Sequence, residues 1–195
     1  MIIIGVTGFK GCGKSSFAKA LTKHIEENCN RLVLSAPFAR PLKIACEAIF
    51  GRAYWYGTDE EKNKLLTYWP EVLGEPFETT RRILQSVGTD LFRSNLHEDL
   101  WIHAQRIYLK QHNALDVVII DDIRFENEAE FVRSCNGTLL HCVRRDRPTS
   151  QDKHASEAGV VFKDGDLKFD FNSVAEMTVA AQQFAISLFK KQAKL

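Results

Sequence analysis

The sequence predicts an α/β fold in which helices pack around a parallel sheet. Three observations predict this class. A glycine-rich stretch lies between a short apolar run and residues with the spacing of an amphipathic helix. A second apolar run, typical of a buried parallel strand, ends in two consecutive aspartates. Further strand-like runs alternate with helical stretches along the chain, which favours strands joined by crossover helices.

The glycine-rich stretch, GFKGCGKSS at 8–16, fits the pattern G-x-x-x-x-G-K-[S/T]. It follows the apolar run 2–6 and precedes a helix expected from about Lys14 to Glu27, the context of a phosphate-binding loop. A plain turn would leave the glycines unexplained, since each costs conformational entropy. Lys14 is expected to reach nucleotide phosphates and Ser15 to ligate Mg²⁺. The nucleotide-binding candidates are Gly8, Lys10, Gly11, Cys12, Gly13, Lys14, Ser15 and Ser16.

Composition limits the classes of partner. The chain of 195 residues suits one domain, 1–195, and its 26 Lys and Arg balance 25 Asp and Glu, so no global field attracts nucleic acid or an anionic membrane. Five cysteines without C-x-x-C spacing argue against a disulfide framework or a zinc site. No apolar run approaches the ~20 residues of a membrane helix. We expect a cytoplasmic protein without nucleic-acid or membrane partners; monomer and homodimer both stay open.

The next segments alternate strand, loop and helix. Residues 31–35 (RLVLS) are expected to form a strand, and APFARPLK at 36–43 a loop that enters a helix ending at Gly51. Arg40 and Lys43 lie at the start of that helix, near where a ligand would lie in an open α/β sheet. A solvent-exposed helix face would account for these two basic residues equally well.

An inserted segment is expected at about 52–95. Between Tyr54 and Thr80 the composition shifts to aromatic, charged and turn residues. Such aromatics can stack on a base, but more often they form the core of a small lobe. A helix is expected to start at Thr80 and to break at Gly88-Thr89, and another to run from His97 to about Gln111.

The run 117–120 followed by Asp121 and Asp122 is typical of a Walker-B strand, whose carboxylate serves a Mg²⁺ site. Arg124 follows, and a helix is expected near Glu126. Residues 138–143 are the next expected strand. It leads into an arginine cluster that suits a phosphate clamp better than a nucleic-acid surface, because Asp146 and Pro148 interrupt it. The clustered residues are Arg144, Arg145 and Arg147.

The last part of the chain combines a polar stretch with a strand and a long helix. Residues 150–165 are polar and show no regular spacing of apolar residues, as expected of a lid. Residues 167–171 are expected to form a strand. Ser173-x-x-Glu176 is a capping box that starts a final amphipathic helix.

Five segments of the chain carry a resemblance to one family: GFKGCGKSS at 8–16, PFARPLK at 37–43, R-x-x-L-Q-x-x-G-T-x-x-x-R from Arg81 to Arg93, D-x-R-F-x-N-E from Asp122 to Glu128, and H-x-S-E from His154 to Glu157. Together they resemble the phage-encoded deoxynucleoside monophosphate kinases, a branch of the P-loop nucleoside monophosphate kinases. The loop at 8–16 is generic, whereas the segments 81–93 and 122–128 point to this family. The resemblance implies a P-loop kinase-type three-layer sandwich with a mostly parallel five-stranded sheet, a small nucleotide-monophosphate lobe and a lid at about 144–166.

The resemblance further implies transfer of the γ-phosphate of ATP, with Mg²⁺, to a deoxynucleoside 5′-monophosphate. The implied catalytic residues are Lys14, Asp122, Arg124, Arg144 and Arg145. Arg147 is implied to bind ATP. Ser15 and either Asp121 or Asp122 are implied to ligate the metal. The implied acceptor-binding residues are Lys43, Arg81, Gln85, Gly88, Thr89, Arg93, Arg124, His154 and Glu157.

Two other functions fit the same residues. A kinase acting on a hydroxyl, similar to dephospho-coenzyme A kinases or nucleoside kinases, would use Asp121 or Asp122 as a general base. A nucleotide-dependent switch is the second alternative. The chain lacks its N-K-x-D guanine-binding motif, because the pair Asn63-Lys64 is followed by two leucines.

Overall fold

The computed structural model describes residues 1–74, 77–145 and 159–192. The chain forms two compact units. The first comprises Met1–Pro37 and Leu109–Leu195, and the second comprises Phe38–Tyr108. We describe each unit by itself.

The first unit contains a five-stranded sheet in which every pair of neighbouring strands is parallel. Its order is β2-β3-β1-β4-β5, so β1 lies at the centre with β3 and β4 beside it. The predicted sheet is thereby confirmed. The strands are β1 (Ile2–Thr7), β2 (Val33–Ser35), β3 (Val117–Ile123), β4 (Thr138–Arg144) and β5 (Leu167–Phe171).

The helices follow the predicted alternation with the strands. A π-helical segment, Ser86–Arg93, continues directly from the fifth helix. The helices are α1 (Lys14–Cys29), α2 (Arg40–Phe50), α3 (Asp59–Lys62), α4 (Trp69–Leu73), α5 (Thr80–Gln85), α6 (Leu100–Gln111), α7 (Glu126–Ser134) and α8 (Val174–Gln192).

Alternate residues of β1 pack on opposite faces of the sheet, because strand side chains have a period of two. Ile4 and Val6 belong to a buried cluster with residues of α1 and α8, among them Phe17. On the other face the strand carries Gly5, where a Cβ atom would lie 3.2 Å from a methyl of Val132 in α7. Helices therefore cover both faces, as a three-layer sandwich requires.

The aromatic residues of the second unit divide into two groups. Phe50 packs against three rings, those of Trp55, Trp69 and Phe77, with centroids 5.2 to 6.3 Å away. Both indoles donate to main-chain carbonyls, Trp55 to Gly51 at 2.9 Å and Trp69 to Phe50 at 2.8 Å. Trp55 thus belongs to the core of this unit, whereas Trp69 is half-buried beside it. Three tyrosines of the same stretch are exposed, namely Tyr54, Tyr56 and Tyr68.

The predicted helix break at Gly88-Thr89 is wrong. The chain stays helical there and widens into the π-helical segment. A Cβ atom on Gly88 would lie 2.5 Å from Cδ2 of Leu42 in α2, so close packing explains the glycine. Its carbonyl accepts a 3.0 Å hydrogen bond from Nε1 of Trp101. Two other boundaries also differ, since the second strand begins at Val33 and the helix expected from His97 begins at Leu100.

No helix among the described residues is long and apolar enough to span a membrane. All five cysteines are free thiols.

Candidate phosphate-binding site and acceptor-side residues

The carboxyl ends of β1, β3 and β4 lie at one edge of the sheet, because the three strands are parallel and adjacent. Thr7, the last residue of β1, pairs with Ile123 on one side and His141 on the other. The glycine-rich loop starts at the next residue. The loop therefore lies between the end of β3, with its aspartates, and the end of β4, with its arginines.

Positive φ angles shape the loop. Gly8, Gly11 and Gly13 have φ of 145°, 76° and 99°, which side-chain-bearing residues rarely adopt. At Gly8 a Cβ atom would also lie 2.3 Å from the carbonyl oxygen of Cys142 in β4. Glycine at this position is required both by the backbone conformation and by the close approach of the neighbouring strand.

Lys14 places its ammonium group inside the loop. Nζ donates to the carbonyl oxygens of Gly8 at 2.6 Å and Phe9 at 2.9 Å, and the residue is only 9% exposed. Lys14 is also the first residue of α1, whose first turn contains no acidic residue. The positive end of the helix dipole and the ammonium charge therefore add at the same place, which favours an anion there. Ser15 and Ser16 follow on the exposed side of the first turn.

A β-bulge lies at the end of β3, where the sequence carries its two aspartates. Gly5 pairs with Ile120 and Thr7 pairs with Ile123, so Asp121 and Asp122 together lie opposite one residue of β1. Beyond the bulge the hydroxyl of Thr7 donates to the carbonyl of Ile123 at 2.9 Å. Both aspartates are half-buried. Because the bulge interrupts the alternation of side chains, strand periodicity does not show which carboxylate serves a metal.

Arg124 follows β3 directly and is anchored through its main chain. Its amide and that of Phe125 donate to Oε2 of Glu128, at 2.9 and 3.2 Å. Glu128 is 3% exposed and lies in the first turn of α7. This carboxylate holds the turn that carries Arg124, whose side chain is half-buried.

The arginines after β4 are described only in part. Arg144 ends the strand and is half-buried, whereas Arg145 is exposed and pairs with Asp170 of β5 at 3.3 Å. Three predicted site residues lie outside the described residues, together with most of the expected lid: Arg147, His154 and Glu157.

Cys142, at this edge of the sheet, is not suited to nucleophilic chemistry. Burial raises the pKa of Cys142 well above its ordinary value, and neighbouring Cys12 raises it further while Lys14 opposes the shift. The thiol is therefore protonated at neutral pH, and only the thiolate is a good nucleophile.

The second unit carries the acceptor-side candidates. Arg81, in α5, is held between two residues of the preceding segment. Its Nε donates to Oδ1 of Asn63 at 2.9 Å, and its Nη2 forms an ion pair with Asp59. The Arg81 side chain is 13% exposed.

The other acceptor-side candidates differ in exposure. Arg93 is buried, and its Nη1 donates to the carbonyl of Glu98 at 2.8 Å. Nζ of Lys43 lies 5.4 Å from the ring centroid of Tyr56. Gln85 and Thr89 are half-buried, whereas the packing of Gly88 against α2 explains that glycine without a substrate.

The residues of the first unit fit a nucleotide phosphate with Mg²⁺. The loop offers main-chain amides and the buried ammonium of Lys14, and Ser15 offers a hydroxyl oxygen. Asp121 and Asp122 offer carboxylates, the hard oxygen ligands that Mg²⁺ prefers. Among the described residues no group of three or more acidic, His or Cys side chains could hold a metal alone.

Together, the parallel sheet, the glycine-rich loop after its first strand and the lysine inside that loop define a protein of the P-loop kinase-type fold. The sequence profile of one family, deoxynucleotide monophosphate kinase, matches residues 72–178, which is more than half of the chain. The chain belongs to the deoxynucleotide monophosphate kinase family.

Individual relatives agree with this assignment. A protein of Acanthamoeba polyphaga mimivirus, provisionally named deoxynucleotide monophosphate kinase, is 34% identical over 171 residues, covering 80% of this chain and 81% of that protein. The deoxynucleotide monophosphate kinase of Enterobacteria phage T4 is 35% identical over 91 residues, which span 46% of this chain and 37% of the phage protein. The deoxynucleoside-5′-monophosphate kinase of Escherichia phage T5 is 36% identical over 96 residues, 45% of this chain and 37% of that protein.

Sequence patterns did not indicate three residues that hold the candidates in place. Asp59 and Asn63 contact Arg81 across about twenty residues of chain, and no short motif links them to it. Glu128 was part of the quoted segment 122–128, but its role in binding two amides depends on the turn that the structure shows.

Proposed function

We propose that this protein transfers the γ-phosphate of ATP to deoxynucleoside 5′-monophosphates, giving diphosphates for DNA synthesis. The observation that carries the proposal is the family match over residues 72–178. That range contains the acceptor-side arginines Arg81 and Arg93, the two aspartates at the end of β3, and Arg124 directly after that strand. The loop at 8–16 lies outside the matched range and supports the donor side independently, through its own geometry.

The donor would be held by the loop. Lys14 and the main-chain amides of 8–16 would bind the β- and γ-phosphates, and Ser15 with Asp121 or Asp122 would hold Mg²⁺. When bound, the metal neutralises charge on the phosphates. Lys14 contributes a positive charge that its hydrogen bonds to two loop carbonyls hold in place, and such preorganised charge stabilises the transferring group in the transition state.

The acceptor side supports a monophosphate rather than a hydroxyl. A phosphate monoester has its second pKa near 6, so it is mostly a dianion at neutral pH and needs no general base. Binding such a dianion requires several positive charges, and arginine binds phosphate oxygens through two parallel hydrogen bonds. We propose Arg81, Arg93 and Arg124 as acceptor ligands and Arg144 and Arg145 as residues that stabilise the transferring phosphoryl group.

A turnover panel tests the proposal. The four common deoxynucleoside monophosphates, their ribose forms, the unphosphorylated nucleosides and dephospho-coenzyme A are each incubated with Mg-ATP, and both products are quantified. We expect phosphorylation of one or more deoxynucleoside monophosphates and none of the hydroxyl acceptors. Turnover of a nucleoside or of dephospho-coenzyme A alone would show a hydroxyl-directed kinase. ATP hydrolysis that is independent of any acceptor would show a nucleotide-dependent switch.

The same preparation tests the remaining parts of the proposal. Replacing ATP by other nucleoside triphosphates and Mg²⁺ by EDTA checks the donor and the metal. We propose the cytoplasm as the place of action, which is the host cytoplasm if the protein is phage-encoded, since deoxynucleotides are used there for DNA synthesis. Light scattering on the purified protein distinguishes monomer from homodimer.

A further inference from the structure

Asp59 and Asn63 form a bracket around one edge of the Arg81 guanidinium group. They lie four residues apart, at the start of α3 and directly after its end, so both side chains lie on one face of the turn. Asn63 accepts from Nε and Asp59 from Nη2. These two contacts use the edge of the guanidinium group that is formed by Nε and Nη2. The other edge, which includes Nη1, lies outside the bracket.

The segment that carries the bracket is itself anchored. A four-residue helix is too short to be stable alone, and α3 has a complete capping box. The amide of Thr58 donates to Oε2 of Glu61 at 2.7 Å, and the amide of Glu61 donates to the hydroxyl of Thr58 at 3.2 Å. Beyond the bracket, an antiparallel bridge joins Leu65 to Thr79, two residues before Arg81. The capping box thus stabilises the helix that carries the bracket, and the bridge ties the chain just after the bracket to the residues just before Arg81.

We infer that Asp59 and Asn63 are positioning residues that fix the Arg81 guanidinium group for the 5′-phosphate of the acceptor nucleotide. This inference rests on the proposed function. A free arginine side chain must give up its rotamer freedom each time it binds phosphate. An arginine already held at 13% exposure by an ion pair and a hydrogen bond has lost that freedom on folding, so acceptor binding costs less.

The bracket also keeps the charge of Arg81 available to the ligand. Guanidinium offers five donors in a planar fork and stays protonated. Nε and Nη2 contact the bracket. The edge formed by Nη1 and Nη2 can still donate to two phosphate oxygens. Asp59 therefore orients the arginine without filling the edge that a phosphate would use.

Steady-state kinetics with Mg-ATP and the best deoxynucleoside monophosphate test the inference. We expect Asp59→Ala to raise KM for the monophosphate about five- to twentyfold, with kcat within about twofold and KM for ATP unchanged, because the lost interaction acts on acceptor binding alone. Asp59→Asn keeps an acceptor oxygen and should show a smaller rise. Asn63→Ala should raise the same KM. The control is Glu60→Gln, which removes an exposed charge from the same helix without touching Arg81.

A double-mutant cycle decides whether the effect runs through Arg81. In an Arg81→Ala background, Asp59→Ala should change KM by less than about twofold, since a positioning residue has nothing left to position. An equal effect in both backgrounds, a lower KM in Asp59→Ala, or an unchanged KM in a folded variant would each overturn the inference. Wild-type protein that phosphorylates no deoxynucleoside monophosphate would overturn the proposed function, whereas active wild type with normal bracket variants overturns this inference alone.

Discussion

Nζ of Lys14 lies 2.6 Å from the carbonyl oxygen of Gly8, so the lysine at the end of the glycine-rich loop closes that loop onto its own first residue. Together with the bond to the carbonyl oxygen of Phe9, this hydrogen bond fixes a positive charge inside the loop. An ammonium group held in this way is in place before a phosphate arrives, which lowers the cost of reorganising the site.

We expect Lys14→Ala to lower kcat by about a thousandfold or more while the protein stays folded, because the side chain supplies charge to the phosphates rather than apolar packing. Circular dichroism and a coupled assay for ADP measure both quantities. Lys19→Ala, an exposed residue one turn later on α1, is the control. Near-normal turnover in folded Lys14→Ala would reject the phosphate-binding loop.

The two aspartates of the bulge can be separated by a pair of variants. We expect either Asp121→Asn or Asp122→Asn, but not both equally, to raise the Mg²⁺ concentration needed for half-maximal turnover by about tenfold or more, because an amide is a much weaker ligand for Mg²⁺. Magnesium titrations at fixed ATP measure this. Full activity of both variants at limiting Mg²⁺ would contradict the Walker-B assignment.

Arg124→Ala tests the acceptor side. The anchor of this turn on Glu128 is made by the main-chain amide, so the substitution leaves it in place. We expect kcat/KM for the monophosphate to fall about ten- to a hundredfold through loss of a charge-assisted hydrogen bond, with little change in ATP affinity. The control is Arg82→Ala, which removes an exposed arginine. Lost ATP affinity with normal acceptor KM would place Arg124 on the donor instead.

Gly8→Ala tests the close approach of the loop to β4. We expect a loss of about 2–4 kcal/mol in the free energy of unfolding, since the new Cβ atom combines an unfavourable φ with a main-chain clash. At Gly51, φ is also positive, but no atom of the described residues lies within 4 Å of a Cβ atom. Gly51→Ala should therefore cost only about 1–2 kcal/mol. Urea denaturation of both variants measures the difference, and equal losses would show that the clash is relieved.

A buried carboxylate makes the stability of the first unit depend on pH. Asp166 accepts two hydrogen bonds from Arg133 of α7, at 3.1 and 2.6 Å, and its side chain is 3% exposed. It also contacts Nε2 of His141 at 3.0 Å and accepts from the amide of Lys163 at 2.9 Å. Burial raises the pKa of Asp166, but the hydrogen bonds from Arg133, Lys163 and His141 outweigh burial, and the pKa lies below its ordinary value.

Because the folded-state pKa is the lower one, this stabilisation is fully present above the unfolded pKa of about 3.9 and is lost as pH falls through the folded value. We expect wild type to lose more unfolding free energy between pH 7 and pH 3 than Asp166→Asn does. Asp164→Asn, an exposed neighbour, should follow wild type. Urea denaturation at both pH values measures it, and parallel losses in wild type and Asp166→Asn would contradict the assignment.

Local signals account for what the sequence by itself determined. The loop, the strand runs and the start of α7 depend on residues within a few positions of one another. The packed aromatic residues of the second unit also followed from composition. Such features are predictable because backbone conformation, caps and side-chain periodicity act over one or two turns.

Contacts between distant segments were decided only by the tertiary structure. Asp59 reaches Arg81, Asp166 reaches Arg133, and Gly88 is glycine because Leu42 packs on it. The bulge in β3 depends on its pairing with β1, so a count along one strand could not place Asp121 and Asp122. Each of these partners lies 22 or more residues away in sequence, where no periodicity links them. Sequence alone therefore determined which chemical groups the protein carries, and folding determined which of them are held together.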